Sequence, residues 1–210
     1  KPLQSAVSDA KAIANCLRAE QGYEASLLVD SEATASSILE AIETDFSGRL
    51  DADSAFLLYF AGHGVAFGDG SEGPQGYLLA ADAKLGNQQS WLAMDRLRQA
   101  LEALPCRHML VVLDCCFAGS FRWASTRDLM LSGRPLYDSQ YQRYLGGTAW
   151  QALTSASHNE TAMDVSPGFS NTRESSSVSG ASHSPFALAL IRGLAGDADS
   201  SRAGYPPDGI

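Results

Sequence analysis

The 210-residue sequence has little basic charge, few cysteines and no long apolar run, and each shortage excludes something. Its 15 Lys and Arg residues stand against 24 Asp and Glu, for a net charge of −9. So acidic a chain does not suit nucleic acid as a main partner; it suits cationic ligands, or simply solubility. No apolar stretch approaches the roughly 20 residues of a membrane-spanning helix, so no membrane partner is expected. No basic-then-apolar leader is present, so nothing argues for secretion. The four cysteines are Cys16, Cys106, Cys115 and Cys116. They are too few for a disulfide framework, and the expected compartment is reducing and cytoplasmic. The adjacent pair has no partner at the C-x₂₋₄-C spacing of zinc sites, so no metal is expected there.

What is present is ordinary for a globular protein: 45% apolar and 19% charged residues. The length suits one domain, 1–210. Five apolar runs predict buried strands: Ser26 to Val29, Ala55 to Phe60, Gly76 to Leu79, Met109 to Leu113, and Trp150 to Thr154. "AFLLYF" and "MLVVL" are continuous rather than alternating, the pattern of parallel strands covered on both faces. Helical spacing lies between them. It runs through Ala10, Ile13, Ala14 and Leu17, with Ser8 or Asp9 as N-cap and Gly22 past the end. It recurs at Ala35, Ile38, Leu39 and Ile42, and at Leu97, Ala100, Leu101 and Leu104 before Pro105. Ser184-Pro185 opens a last helix as N-cap and N1 proline. Strands alternating with helices predict an α/β sandwich.

Residues 62–76 read as a glycine-rich loop, 120–147 as a long connection bearing Arg122, Arg127, Arg134 and Arg143, and 166–184 as a serine-rich loop. A helix comes first with no strand before it, and an apolar stretch starts as the sequence stops. The expectation is a domain excised from a longer chain, without its first strand and its C-terminal end.

Catalytic groups in parallel α/β sheets collect beyond the carboxyl ends of the strands. Two runs end there in reactive groups, "AFLLYF" before Ala61-Gly62-His63-Gly64 and "MLVVL" before Asp114-Cys115-Cys116. If those strands are neighbours, His63 and Cys116 share one rim. An imidazole there can take the proton of a thiol and make it a nucleophile. Side chains two apart on an extended segment share a face, so Asp114 and Cys116 point one way and Cys115 the other.

These residues carry a resemblance. "FLLYFAGHG" resembles the histidine motif of caspase-like cysteine peptidases. "VVLDCCFAGS" resembles their cysteine motif in the D-x-C-x-x-G form of metacaspases and bacterial caspase homologues. "SAVSDAKAIANCL", "GYLLAADA" and "ALTSAS" resemble further segments of the family, so the likeness runs from about Leu3 to Leu194. His63 precedes Cys116 by roughly the 50 residues that separate the pair in caspases.

The resemblance implies a caspase-like three-layer α/β/α sandwich with a mostly parallel central sheet. It also implies a Cys-His dyad, with Cys116 as nucleophile and His63 as the base that later protonates the leaving amine. Cys115, Cys16 and Cys106 are then structural. The backbone N–H groups of Gly64 and Cys116 are expected to form the oxyanion hole.

Asp114 stands where animal caspases, which cut after acidic residues, have glutamine, and Asp9 matches a second acidic pocket residue of metacaspases. Two carboxylates predict cleavage after basic residues, arginine over lysine through bidentate bonding. Asp9 also reads as a helix N-cap. Phe117-Ala118 replaces the family's frequent His-Ser after the cysteine, and Ala61 its serine before the histidine; both change pocket walls. No cofactor is expected. The acidic pairs that bind calcium in many metacaspases are not clear, and Asp95 near one such place reads as an N-cap, so a calcium requirement is not supported.

Caspase relatives are often cut in the connection after the cysteine, which makes Arg127 and Arg134 the expected self-cleavage sites. The expected role is a cytoplasmic effector in a bacterial regulated or defence system, with peptide or protein substrates and a fused or associated sensor or regulatory domain. Two readings stay open beside it: a catalytically silent caspase-like interaction module, and a transpeptidase.

Overall fold

The structure, a computed structural model, describes residues 3–68, 75–121, 147–156 and 183–197. Strands β1 (Ala55–Ala61), β5 (His108–Asp114) and β6 (Ala149–Thr154) form a parallel sheet in the order β1-β5-β6. Ala55 to Ala61 pair in sequence with His108 to Asp114. This register ends both strands at the same level, so the residues that follow them start side by side.

The sheet is covered on both faces, as its continuous apolar runs require. On one face Phe56, Met109, Val111 and Leu113 pack with α2 (Ala35–Glu40) and α3 (Met94–Glu102) through Ile38, Leu97 and Leu101. On the other, Leu57 and Tyr59 meet Ile13 and Leu17 of α1 (Ala6–Glu20) and Ala187 and Leu190 of α4 (Pro185–Arg192). Three layers result, with the sheet in the middle. Thr34 caps α2 by accepting a hydrogen bond from the Ser37 N–H at 3.1 Å, and a π-helical turn, Ala41–Phe46, continues it. Among the described residues no helix is long and apolar enough to cross a membrane.

Four expectations change. Ser26 to Val29 is not a strand in the structure. It lines, together with Leu57 and Tyr59 of β1, a cleft of about 920 Å³, and is not paired with β1. A strand needs a partner backbone, and apolar content does not provide one.

The "loop" 62–76 contains a strand, β2 (His63–Phe67). It pairs antiparallel with β3 (Gln75–Leu79), which pairs in turn with the short β4 (Leu92–Ala93), so the Gly76–Leu79 run lies in a second sheet. Gly62, Gly64 and Gly76 mark close approach, whereas Gly68 has open space at φ 92°. A Cβ on Gly76 would sit 2.4 Å from Met94 Sδ and 2.7 Å from Ser120 Cβ.

Helix α1 begins at Ala6 after Ser5, earlier than Ser8 or Asp9 as caps would have it. Asp9 therefore belongs to the first turn. Asp95 is likewise not a cap: α3 starts at Met94, and Asp95 bonds Arg98 and Gln99.

Candidate active site

The Ala61↔Asp114 pairing sets the site. His63 lies two residues past Ala61 and Cys116 two past Asp114, so the two reactive groups leave neighbouring strands at one level. The Gly62 N–H donates to the Asp114 carbonyl at 3.2 Å, extending the pairing past the strand ends. Gly64 then packs directly on the cysteine turn, where a Cβ would meet the Cys116 carbonyl oxygen at 2.1 Å and Cys115 Sγ at 3.0 Å. Only glycine permits that contact.

After Cys116 the chain turns sharply. Phe117 adopts φ 57° and ψ 19°, a left-handed conformation unusual for a bulky residue, and the 3₁₀ turn Ala118–Ser120 follows. The Gly119 N–H donates to Ala156 O at 3.1 Å, which fastens the turn to the end of β6. Strain of this kind persists only where surrounding contacts fix it, and it concentrates at functional sites.

The four cysteines divide as their environments dictate. Cys115 is 1% exposed, and burial, then the neighbouring Cys116 and Asp114, push its thiol far above the usual range. It packs beneath Gly64 as a small apolar side chain. Burial also raises the thiols of Cys16 and Cys106. Cys116 is half-buried and faces a cavity.

That cavity, about 150 Å³, is lined by His63, Cys116, Asp9, Asp114 and Ser184, with Ser5 and Ala61 beside them. It gathers both carboxylates singled out in the sequence. Asp9 is 1% exposed and Asp114 8%. Asp114 Oδ2 accepts from the Ser184 hydroxyl at 2.7 Å and from the Tyr59 hydroxyl at 3.3 Å. Asp9 Oδ1 lies 2.6 Å from His183 Nδ1, and its Oδ2 accepts from the Ser184 N–H at 3.2 Å. Burial lifts the Asp114 carboxyl above the ordinary carboxylate range, and neighbouring Asp9 adds to the rise, while the Ser184 and Tyr59 hydroxyls oppose it. Burial and the two carboxylates push the Tyr59 phenol up, so it stays a neutral donor.

His183, Ser184 and Tyr59 are the members of this cluster that the sequence pattern did not offer as site residues. Ser184 read only as a helix cap, and it is one, accepting from the Ala187 N–H at 3.0 Å. Its second bond, to Asp114, has no local signal. Arg127 and Arg134 lie outside the described residues. No group of three His, Cys, Asp or Glu side chains that could hold a metal ion occurs among the described residues.

The family model of the caspase domain, the C14 peptidases, matches residues 1–203. Among solved structures, the crystal structure of a protein from Geobacter sulfurreducens is similar, at 25% identity and a TM-score of 0.45. That match covers 54% of this chain and 42% of the other, less than half of that protein's length. No curated protein matches.

Proposed function

Because the chain belongs to the caspase-domain family of peptidases, we propose that it is a cysteine endopeptidase that uses Cys116 and His63 and cuts after basic residues, arginine before lysine. The observation that carries this reading is the single cavity that His63, Cys116, Asp9 and Asp114 line together.

The steps follow from the roles these groups can take. His63 removes the Cys116 thiol proton, and the thiolate attacks the carbonyl carbon of the scissile bond. The negative charge that forms on the carbonyl oxygen is received by the backbone N–H groups of Gly64 and Cys116. His63 returns the proton to the leaving amine, the C–N bond breaks, and a thioester to Cys116 remains. A water then attacks the thioester, giving its proton to His63. The C–S bond breaks, the free acid departs, and the proton returns to sulfur. Asp114 and Asp9 hold the basic side chain next to the scissile bond, and a guanidinium can reach both carboxylates where an ammonium reaches one.

The test is cleavage of fluorogenic arginyl, lysyl and aspartyl peptides by the wild type, Cys116→Ala, His63→Ala and Cys115→Ala, with circular dichroism on each. Arginyl cleavage should vanish in the first two variants while the fold persists, and Cys115→Ala should keep substantial activity. A thiol-directed arginyl chloromethyl ketone should add its mass at Cys116. A folded chain that neither cuts nor takes the label is a binding module, and efficient cleavage after aspartate overturns the basic pocket.

A further inference from the structure

Asp9 is not waiting empty for a substrate. Its Oδ1 is held by His183 Nδ1 at 2.6 Å and its Oδ2 by the Ser184 N–H at 3.2 Å. A carboxylate only accepts hydrogen bonds, so the ring nitrogen is the donor. A basic side chain entering beside Asp114 would seek the same oxygens. The cavity is about 150 Å³, half the roughly 300 Å³ at which small-ligand pockets begin. To accept a long basic side chain the pocket has to enlarge.

The two residues that close it are held unequally. Ser184 is pinned: its hydroxyl accepts from the Ala187 N–H as the cap of α4 and donates to Asp114. His183 is held through its bond to Asp9, and its side chain is 12% exposed. Rotation of that side chain between staggered wells frees Asp9 Oδ1 without moving α4.

We infer that His183 is a specificity-determining residue of the acidic pocket: its imidazole occupies the Asp9 oxygen that a substrate's basic side chain needs, and that side chain binds by displacing it. The inference rests on the reading of Asp9 and Asp114 as the pocket for a basic residue. The free enzyme spends most of its time with Asp9 satisfied internally, and the apparent affinity for substrate is reduced by the fraction of time the oxygen is free. Arginine gains more than lysine from displacement, because a guanidinium can bridge both carboxylates. In this reading His183 acts on substrate binding, through Asp9, and takes no part in the bond changes at Cys116.

Three proteins decide the matter: the wild type, His183→Ala and His183→Gln. With His183→Ala, KM for an arginyl peptide should fall on the order of 10-fold, the size of one charge-assisted hydrogen bond. Its kcat should stay within about twofold, and the arginine-to-lysine ratio of kcat/KM should rise. The glutamine amide can donate to Asp9 in place of the imidazole, so His183→Gln should return KM toward the wild-type value. An unchanged or raised KM in His183→Ala overturns the inference and leaves His183 a structural support.

A second measurement does not depend on how the alanine variant folds. In ¹⁵N-imidazole spectra of Cys116→Ala, saturating benzamidine should shift the His183 resonance, assigned by its loss in His183→Gln. An unmoved resonance at saturation also overturns it. Failure of the underlying reading looks different: the wild type would then cut no arginyl peptide, and Asp114→Asn would change nothing.

Discussion

A methyl group on Gly64 would sit 2.1 Å from the Cys116 carbonyl oxygen and 3.0 Å from the Cys115 sulfur. The first atom is backbone, which cannot swing aside, so Gly64→Ala must push β2 away from the cysteine turn. His63 begins β2 and would move with it. In the proposed Cys116–His63 pair, a displacement near 1 Å should lower rates on the order of 100-fold. The expected result is a folded Gly64→Ala protein with kcat reduced by about that factor, checked by steady-state kinetics beside circular dichroism. Full activity would show that His63 is placed independently of Gly64.

Asp114 makes a pH-dependent claim at the same scale. Burial raises its carboxyl above the usual range. A raised carboxyl favours folding while it is protonated, and that contribution is lost as pH rises through the raised value. At neutral pH, Asp114→Asn should therefore be at least as stable as the wild type in urea denaturation. For the wild type, KM on arginyl peptides should climb during acidification before pH reaches ordinary carboxylate values. A KM flat down to that range would separate Asp114 from substrate binding.

Among the elements, α4 carries the most site chemistry for its length. Pro185 at its start and the Ser184 cap are legible in sequence, and the cap hydroxyl also donates to Asp114. Ser184→Ala removes both bonds. Loss of the cap costs about 1 kcal/mol, and the buried carboxylate loses a donor as well. The expected destabilisation is roughly 1–3 kcal/mol, read by denaturant unfolding. Ser184→Thr keeps a hydroxyl and should lose less. Equal stability of the alanine variant would mean that water replaces the hydroxyl at both partners. Helix α1 shows a different coupling: by starting at Ala6 it turns Asp9 inward in its first turn, buried rather than capping.

At the scale of the whole molecule, three layers bring together residues far apart in the chain. Asp9 and His183 are 174 positions apart and 2.6 Å from contact atom to contact atom. In sequence, the connection that carries Arg127 and Arg134 follows closely on Cys116, which lines the pocket proposed to accept arginine. A tethered segment meets such a site at high effective concentration. Purified wild type should yield fragments ending at Arg127 or Arg134 by intact-mass spectrometry, while Cys116→Ala stays whole. A wild-type chain that remains whole while cutting peptides would exclude obligatory self-cleavage, and a rate that falls on dilution would assign the cut to a second molecule.

The parallel sheet was legible because buried strands write themselves as continuous apolar runs, and its rim because "AGHG" and "DCC" follow two of those runs. That Cys115 and Cys116 point to different surroundings, one buried and one lining the cavity, was legible too, since alternation along an extended segment is a local property. Apolar content alone misread Ser26 to Val29, because pairing depends on a neighbouring backbone. Glycine content misread β2, because a glycine at a close approach looks in sequence like a glycine in a loop. The partners of the two carboxylates belonged wholly to the tertiary structure. His183, Ser184 and Tyr59 reach Asp9 and Asp114 across separations of 55 to 175 residues. No local pattern encodes such bonds; the packing of α1 and α4 against one face of the sheet makes them.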